Sequence, residues 1–226
     1  MRPQNVAWKG KKMSTKVIKS NKEKTREMTM LAMFIAIIAV LGLVPSGLGS
    51  SSLGFIKIAP NIEATIIHIP VLIGAAMFGR KMGLYLGIAF GTVSLIAAFI
   101  YASPLFVYPW VSVLPRIIFG FVIYDVVQLF KKMIKNPHAS YFVSFFLLSA
   151  IHTILVLPML WTSFTMVLGY DSLAQAFVPY ITALAASGVF ISAPLEALLA
   201  GLIGASVYVR LLQQGTKKDD ALEAEE

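Results

Sequence analysis

The amino-acid sequence predicts an all-α membrane protein, a bundle of six transmembrane helices with its amino and carboxyl ends in the cytoplasm. Three observations carry that reading. Of 226 residues, 58% are hydrophobic and only 13% charged, where a soluble domain carries roughly 25% charged residues. Mean hydropathy is +0.79, and the apolar residues fall in runs long enough to cross a bilayer, which takes roughly 20 residues at about 1.5 Å each. The basic residues, finally, alternate with the parity of those runs.

In chain order, residues 1–27 read as a solvated basic leader. They hold nine of the 19 Lys and Arg residues, lack the apolar segment of a signal peptide, and are expected to lie near anionic lipid. Met13 is an alternative start. The first apolar run has no small-residue cleavage site, so it reads as a retained span. The transmembrane domain covers 28–211, with spans at 28–45, 62–80, 83–101, 108–131, 140–168 and 178–211. The fifth contains Pro158 and is expected to bend or fray near its outer end. An acidic cytoplasmic tail, 212–226, follows.

The connections sort by charge. Gly79-Arg80-Lys81-Met82-Gly83 and Lys131-Lys132-Met133-Ile134-Lys135 are basic, whereas loops 46–61, 102–107 and 169–177 hold only Lys57 and Asp171. Basic loops stay on the cytoplasmic side, which places both ends there. The net charge of +8 is therefore a topology signal, and no nucleic-acid partner is expected.

Small residues predict close packing. Gly79, Gly83, Gly87 and Gly91 recur every four residues and form one smooth helical stripe, read as a contact with a neighbouring helix of the same chain. Ala200/Gly204 and Gly201/Ala205 do the same in the last span. Ala32 and Ala36 offer a similar stripe on the first span, to a neighbouring helix or to a partner protein. Loop 46–61 is rich in Gly and Ser yet carries Leu53, Phe55, Ile56 and Ile58. Such a loop either folds over an opening as a lid or rests on the headgroups.

Ionisable groups inside a membrane are costly, so each is expected to face a cavity, a partner or an interface. Glu63, His68, Arg116, Asp125, His152 and Glu196 lie within the spans. Asp125 is near enough to the cytoplasmic cluster to reach water or Lys131. Arg116 follows Pro115, which lacks a backbone donor and frees a carbonyl upstream. Its guanidinium can bridge to Glu63 or Glu196, or present its fork of donors to an anionic ligand. His152 reads as a ligand donor or a hydrogen-bonded interior histidine, and Glu196, two residues after Pro194, suits a cavity wall. His68, two residues before Pro70, reads as a local cap. Tyr101, Tyr108 and Trp110 form an interfacial aromatic belt or a stacking wall.

Some chemistry is absent. The sequence has no P-loop, no HExxH and no nucleophile elbow, so ATP binding, zinc hydrolysis and serine hydrolysis are not expected. Three scattered histidines without a cysteine point to no metal centre, and no cofactor is expected.

Several segments together resemble the substrate-binding S components of bacterial energy-coupling factor (ECF) vitamin transporters. They are Ala64-Thr65-Ile66-Ile67-His68-Ile69-Pro70-Val71-Leu72-Ile73-Gly74-Ala75, then Phe78-Gly79-Arg80-Lys81-Met82-Gly83 through Phe90-Gly91. Ser103-Pro104-Leu105-Phe106-Val107 and Val113-Leu114-Pro115-Arg116-Ile117-Ile118-Phe119-Gly120 complete the set. The likeness spans about 25–211. It implies a six-helix bundle in the bacterial cell membrane that binds one vitamin from the outer side. Its partners would be a transmembrane coupling subunit and two cytoplasmic ATPases, and it would itself be no enzyme. Ala32 and Ala36 stand where the family carries an Ala-x-x-x-Ala contact for the coupling subunit, and 46–61 stands where it carries a lid.

Within that family the His-Ile-Pro and Ser-Pro-Leu-Phe segments look most like the pantothenate-type branch, whose ligand has a carboxylate for Arg116 to clamp. That branch tends to show Asn-Thr where this chain has His152-Thr153, and an imidazole also suits hydroxymethylpyrimidine or a pyridoxine-like ring. The substrate-binding set is then Arg116, His152, Glu63, Trp110, Tyr108 and Glu196. Two other classes compete: an intramembrane enzyme using His152 and Glu196 as acid and base, and a non-transporting scaffold or sensor.

Overall fold

A computed structural model describes residues 21–47, 51–59 and 62–223. Helix α1 (Asn21–Leu43) leads into a hairpin of β1 (Phe55–Ala59) and β2 (Ile62–Thr65), followed by α2 (His68–Phe78) and α3 (Arg80–Ile100). A 3-10 turn (Pro104–Phe106) and α4 (Pro109–Ser112) introduce α5 (Leu114–Met133) and α6 (Pro137–Val167). The chain closes with α7 (Leu173–Ala186), α8 (Val189–Leu199), a π-turn (Ala200–Gly204) and α9 (Ala205–Glu223). Among the described residues, five helical stretches are long and apolar enough to cross a membrane: Lys24–Leu43, Arg80–Ile100, Pro109–Met133, Pro137–Val167 and Val189–Gln214. Helices α2 and α7 are apolar but shorter. The chain is a helical, multi-pass membrane protein. Residues 1–20 of the basic leader and 224–226 of the acidic tail lie outside the described residues.

Two spans differ from the sequence expectation. A single helix over 62–80 is replaced by β2 followed by α2. Ile56, Ile62 and Thr65 are β-branched and favour a pleated strand. The strands pair antiparallel, Phe55 with Thr65, Ile56 with Ala64 and Lys57 with Glu63, before a register shift. Pro70 is the third residue of α2, where its missing N–H is one of the donors the first turn leaves unpaired anyway. At the other end Gly79 takes φ +91°, a conformation open to glycine, and the chain turns directly into α3. Eleven residues span about 16 Å, roughly half the hydrocarbon thickness.

The second difference lies in 169–211. The stretch 169–177 is not all loop, because α7 begins at Leu173 with the Ser172 hydroxyl accepting the Gln175 N–H at 3.3 Å. The helix expected over 178–211 breaks at Ser187-Gly188. Gly188 has φ +73°, the left-handed stop common after a helix. One unbroken helix over 178–211 would be about 50 Å long, well beyond what a bilayer needs.

Helix α6, by contrast, stays helical through Pro158 to Val167 instead of fraying. The Tyr180 hydroxyl donates to the Leu157 carbonyl at 2.6 Å. Trp161 and Phe164 pack on Phe177 and Tyr180 of α7. At its start, Pro137 occupies the first position and the Asn136 side chain accepts from the N–H groups of His138 and Ala139.

Three glycines of the expected stripe pack α3 against α5, whereas Gly79 is the turn before α3 with open space beside it. A Cβ at Gly83 would collide with the Gly120 carbonyl, one at Gly87 with the Arg116 carbonyl, and one at Gly91 with Val113 Cα. These obstacles are backbone, so they cannot swing away. Gly201 and Gly204 pack instead on side chains, the rings of Phe142 and Phe145 of α6. Gly87→Val is expected to cost at least the roughly 1–3 kcal/mol typical of core overpacking, read as a lowered melting temperature of the detergent-purified protein. An unchanged melting curve would refute the close contact. Farther along the same helix pair, Asp125 bridges to Arg80 at 2.6 Å, not to Lys131.

Two apolar cores result among the described residues. The larger joins α1, α2, α3, α5, α6 and α9 around buried Ile38, Leu72, Leu86, Phe119 and Phe145. The smaller joins Val111, Leu160, Phe164, Tyr180 and Leu184, and so ties α7 to α6 and to the 104–112 segment.

Candidate functional site

Members of both cores line a cavity of about 880 Å³, within the roughly 300–1,000 Å³ range of small-molecule sites. Its walls come from α3, α5, α6, α7, α8 and the hairpin region, with Phe55, Phe90, Phe106, Phe164 and Tyr180 among the aromatic surfaces. The lining mixes apolar surface with Ser, Thr and Tyr hydroxyls, and Arg116, His152 and Glu196 stand out in it as an arginine, a histidine and a carboxylic acid drawn to one cavity.

Arg116 lies in the first turn of α5 and is only 6% exposed. Pro115 denies its helix the usual bond to the carbonyl four residues earlier. That carbonyl belongs to Val111, and it accepts from Arg116 Nη1 at 2.6 Å. The guanidinium carbon sits 5.4 Å from the Phe90 ring centre and 5.8 Å from that of Phe106, within cation–π range. Nε is buried without a partner. Among the described residues no carboxylate is within ion-pair distance, so the Arg116–Glu196 bridge is not formed. Glu63 lies in β2 opposite Lys57, and its side chain falls outside the described part, as does its bridge to Arg116.

His152 sits midway along α6, also 6% exposed, with Nε2 buried and unpartnered. Its ring is held by Phe90 at 5.5 Å, Phe119 at 5.0 Å and His68 at 5.9 Å, the last nearly parallel. His68 is not merely a cap: it is fully buried and its Nε2 pairs with the Ser149 hydroxyl at 3.1 Å. It forms a second layer behind His152. Glu196 on α8 reaches the cavity from another wall, and its Oε1 accepts the Thr65 backbone N–H at 2.8 Å. The end of β2 is thereby tied to α8.

The structure thus brings Arg116, His152 and Glu196 to one cavity. Tyr108 and Trp110 do not line it. They pack on each other at 4.6 Å, and Trp110 Nε1 donates to the Thr162 hydroxyl at 3.2 Å, fastening the 104–112 segment to α6. In loop 46–61, the described Ser51, Ser52 and Phe55 line the cavity, whereas 48–50 and 60–61 are outside the described residues. Ala32 and Ala36 are exposed on α1, on the side away from buried Phe34 and Ile38. Beside them Met33, Ala36, Ile37, Val40 and Leu41 line a shallow groove of about 300 Å³.

Sequence reasoning did not select Phe90, Phe106, Tyr180 or Thr65. Phe90 carried a usable signal, since it sits between the stripe glycines Gly87 and Gly91 on the face that meets α5. Thr65 acts through its backbone N–H, which no side-chain pattern reveals.

A multi-pass helical protein with a cavity of this size, lined by apolar surface, hydroxyls and the ionisable groups of Arg116, His152 and Glu196, is built to hold a small molecule. The family model described as "ECF transporter, substrate-specific component" matches residues 26–212, and the chain belongs to that family. It is similar to the Pantothenic acid transporter PanT of Lactococcus lactis subsp. cremoris (strain MG1363), 28% identical over 161 residues that cover 63% of this chain and 76% of the relative. The chain is accordingly a transporter's substrate-binding subunit and not an enzyme.

Proposed function

We propose that this chain is the pantothenate-binding subunit of an ATP-driven ECF importer in a bacterial cell membrane. It captures the vitamin from the outer side and delivers it through a transmembrane coupling subunit driven by two cytoplasmic ATPases. Both ends are cytoplasmic. The chain makes six crossings, with the hairpin completing the short second one and α7 capping the outer face. The observation that carries the substrate reading is Arg116: a buried guanidinium on a cavity wall, without a carboxylate partner among the described residues and with Nε unpaired. A ligand carboxylate would supply the missing charge and acceptor. The similarity to a pantothenic acid transporter supports the same choice.

A second reading, hydroxymethylpyrimidine or a pyridoxine-like ring, draws on His152, whose unpartnered Nε2 stands among the rings of Phe90, Phe119 and His68. Calorimetric titration of the purified chain decides between them. Pantothenate is expected to bind one to one and to resist displacement by either heterocycle. Binding of a heterocycle without binding of pantothenate would reverse the assignment.

A further inference from the structure

Arg116 and Glu196 line the same cavity yet form no ion pair with each other. Burying a guanidinium and a carboxyl is costly, and neither is drawn into a bridge that would offset the cost. Their anchoring explains the separation. Arg116 is held on α5 by the Val111 carbonyl and two aromatic faces. Glu196 is held on α8 by the Thr65 N–H, with α6 packed against both helices. The two poles also differ in what they offer. At one, Arg116 Nε is a buried, unpaired donor, and His152 Nε2 stands nearby, likewise unpaired. The other presents the Glu196 carboxyl, of which only Oε1 has a partner among the described residues.

We infer that the cavity takes a bipolar ligand, an acid whose far end carries hydroxyl or amide donors, and that Glu196 is the specificity-determining residue that reads those donors. The inference rests on the pantothenate reading and deepens it: the carboxylate goes to Arg116, and the two hydroxyls of the pantoyl end go to Glu196. Glu196 also holds the end of β2, so the group that reads the ligand is the group that seats the hairpin over the cavity.

Glu196→Gln separates these roles. The amide oxygen still accepts the Thr65 N–H, while an NH2 group replaces the oxygen offered to the ligand. Calorimetry on the full chain in detergent compares pantothenate with the N-acyl-β-alanine of the same carbon skeleton that lacks both hydroxyls. Wild type is expected to prefer pantothenate by about tenfold or more, the worth of a hydrogen bond to a charged group. In E196Q that preference is expected to collapse, with affinity for the hydroxyl-free acid unchanged. A preference kept intact in E196Q, or an equal loss for both acids, overturns the inference and leaves Glu196 as a hairpin tether only. No binding of pantothenate to wild type would overturn the substrate reading and this inference with it, an outcome distinct from the first two.

Discussion

Arg116→Ala is expected to abolish high-affinity vitamin binding while leaving a folded protein. Removing one member of a buried, hydrogen-bonded charge pair costs about 2–5 kcal/mol, equivalent to an affinity loss of roughly 30-fold to several thousand-fold. The fold should survive, because Arg116 makes no ion pair among the described residues and its one hydrogen bond goes to the Val111 carbonyl. Deleting it removes a desolvated charge as well as that bond. Arg116→Lys keeps the charge but loses the planar fork and Nε, so an intermediate loss is expected. Titration calorimetry gives the affinity and a melting curve gives the fold. Wild-type affinity in Arg116→Ala would end the assignment of Arg116 to the ligand.

Ala32→Trp is expected to prevent assembly with the coupling subunit and to spare vitamin binding. Ala32 and Ala36 are exposed and lie one helical turn apart on α1. Small side chains there let another helix approach closely, and packing of that kind drives helix association in lipid. An indole at position 32 would hold a partner helix away without entering the core, since the buried face of α1 is the one bearing Phe34 and Ile38. The expected result is loss of co-purification with the coupling subunit and both ATPases, together with an unchanged titration of the isolated chain. A normal complex would refute the interface.

Membrane character, the small-residue contacts and the intramembrane polar residues were all legible in the sequence, because each depends on local composition or spacing. Arg116 shows how far such reasoning reaches. Pro115 frees the Val111 carbonyl by covalent structure alone, so a nearby acceptor for the guanidinium was foreseeable. Its other neighbours were not, because Phe90 and Phe106 arrive from α3 and from the 3-10 turn. His68 marks the limit clearly. Its place beside Pro70 suggests a cap, whereas its ring partners are Ser149 and His152 on α6.

The boundaries failed where hydropathy carried little information. The apolar run of α2 continues back through Ile66 and Ile67, so 62–65 read as part of a span, and Ser187-Gly188 broke a run with apolar residues on both sides. Composition and spacing alone set the solvent this protein folds in and the glycines that let α3 and α5 touch, and they marked Arg116, His152 and Glu196 as candidates. Tertiary structure alone decided that these three share a cavity, that Arg116 and Glu196 stay unpaired across it, and that Tyr108 and Trp110 stand outside. The reason is physical: composition and period are properties of neighbouring residues. Which polar groups meet depends on how α5, α6, α8 and the hairpin pack, and those contacts join residues as far apart as Thr65 and Glu196.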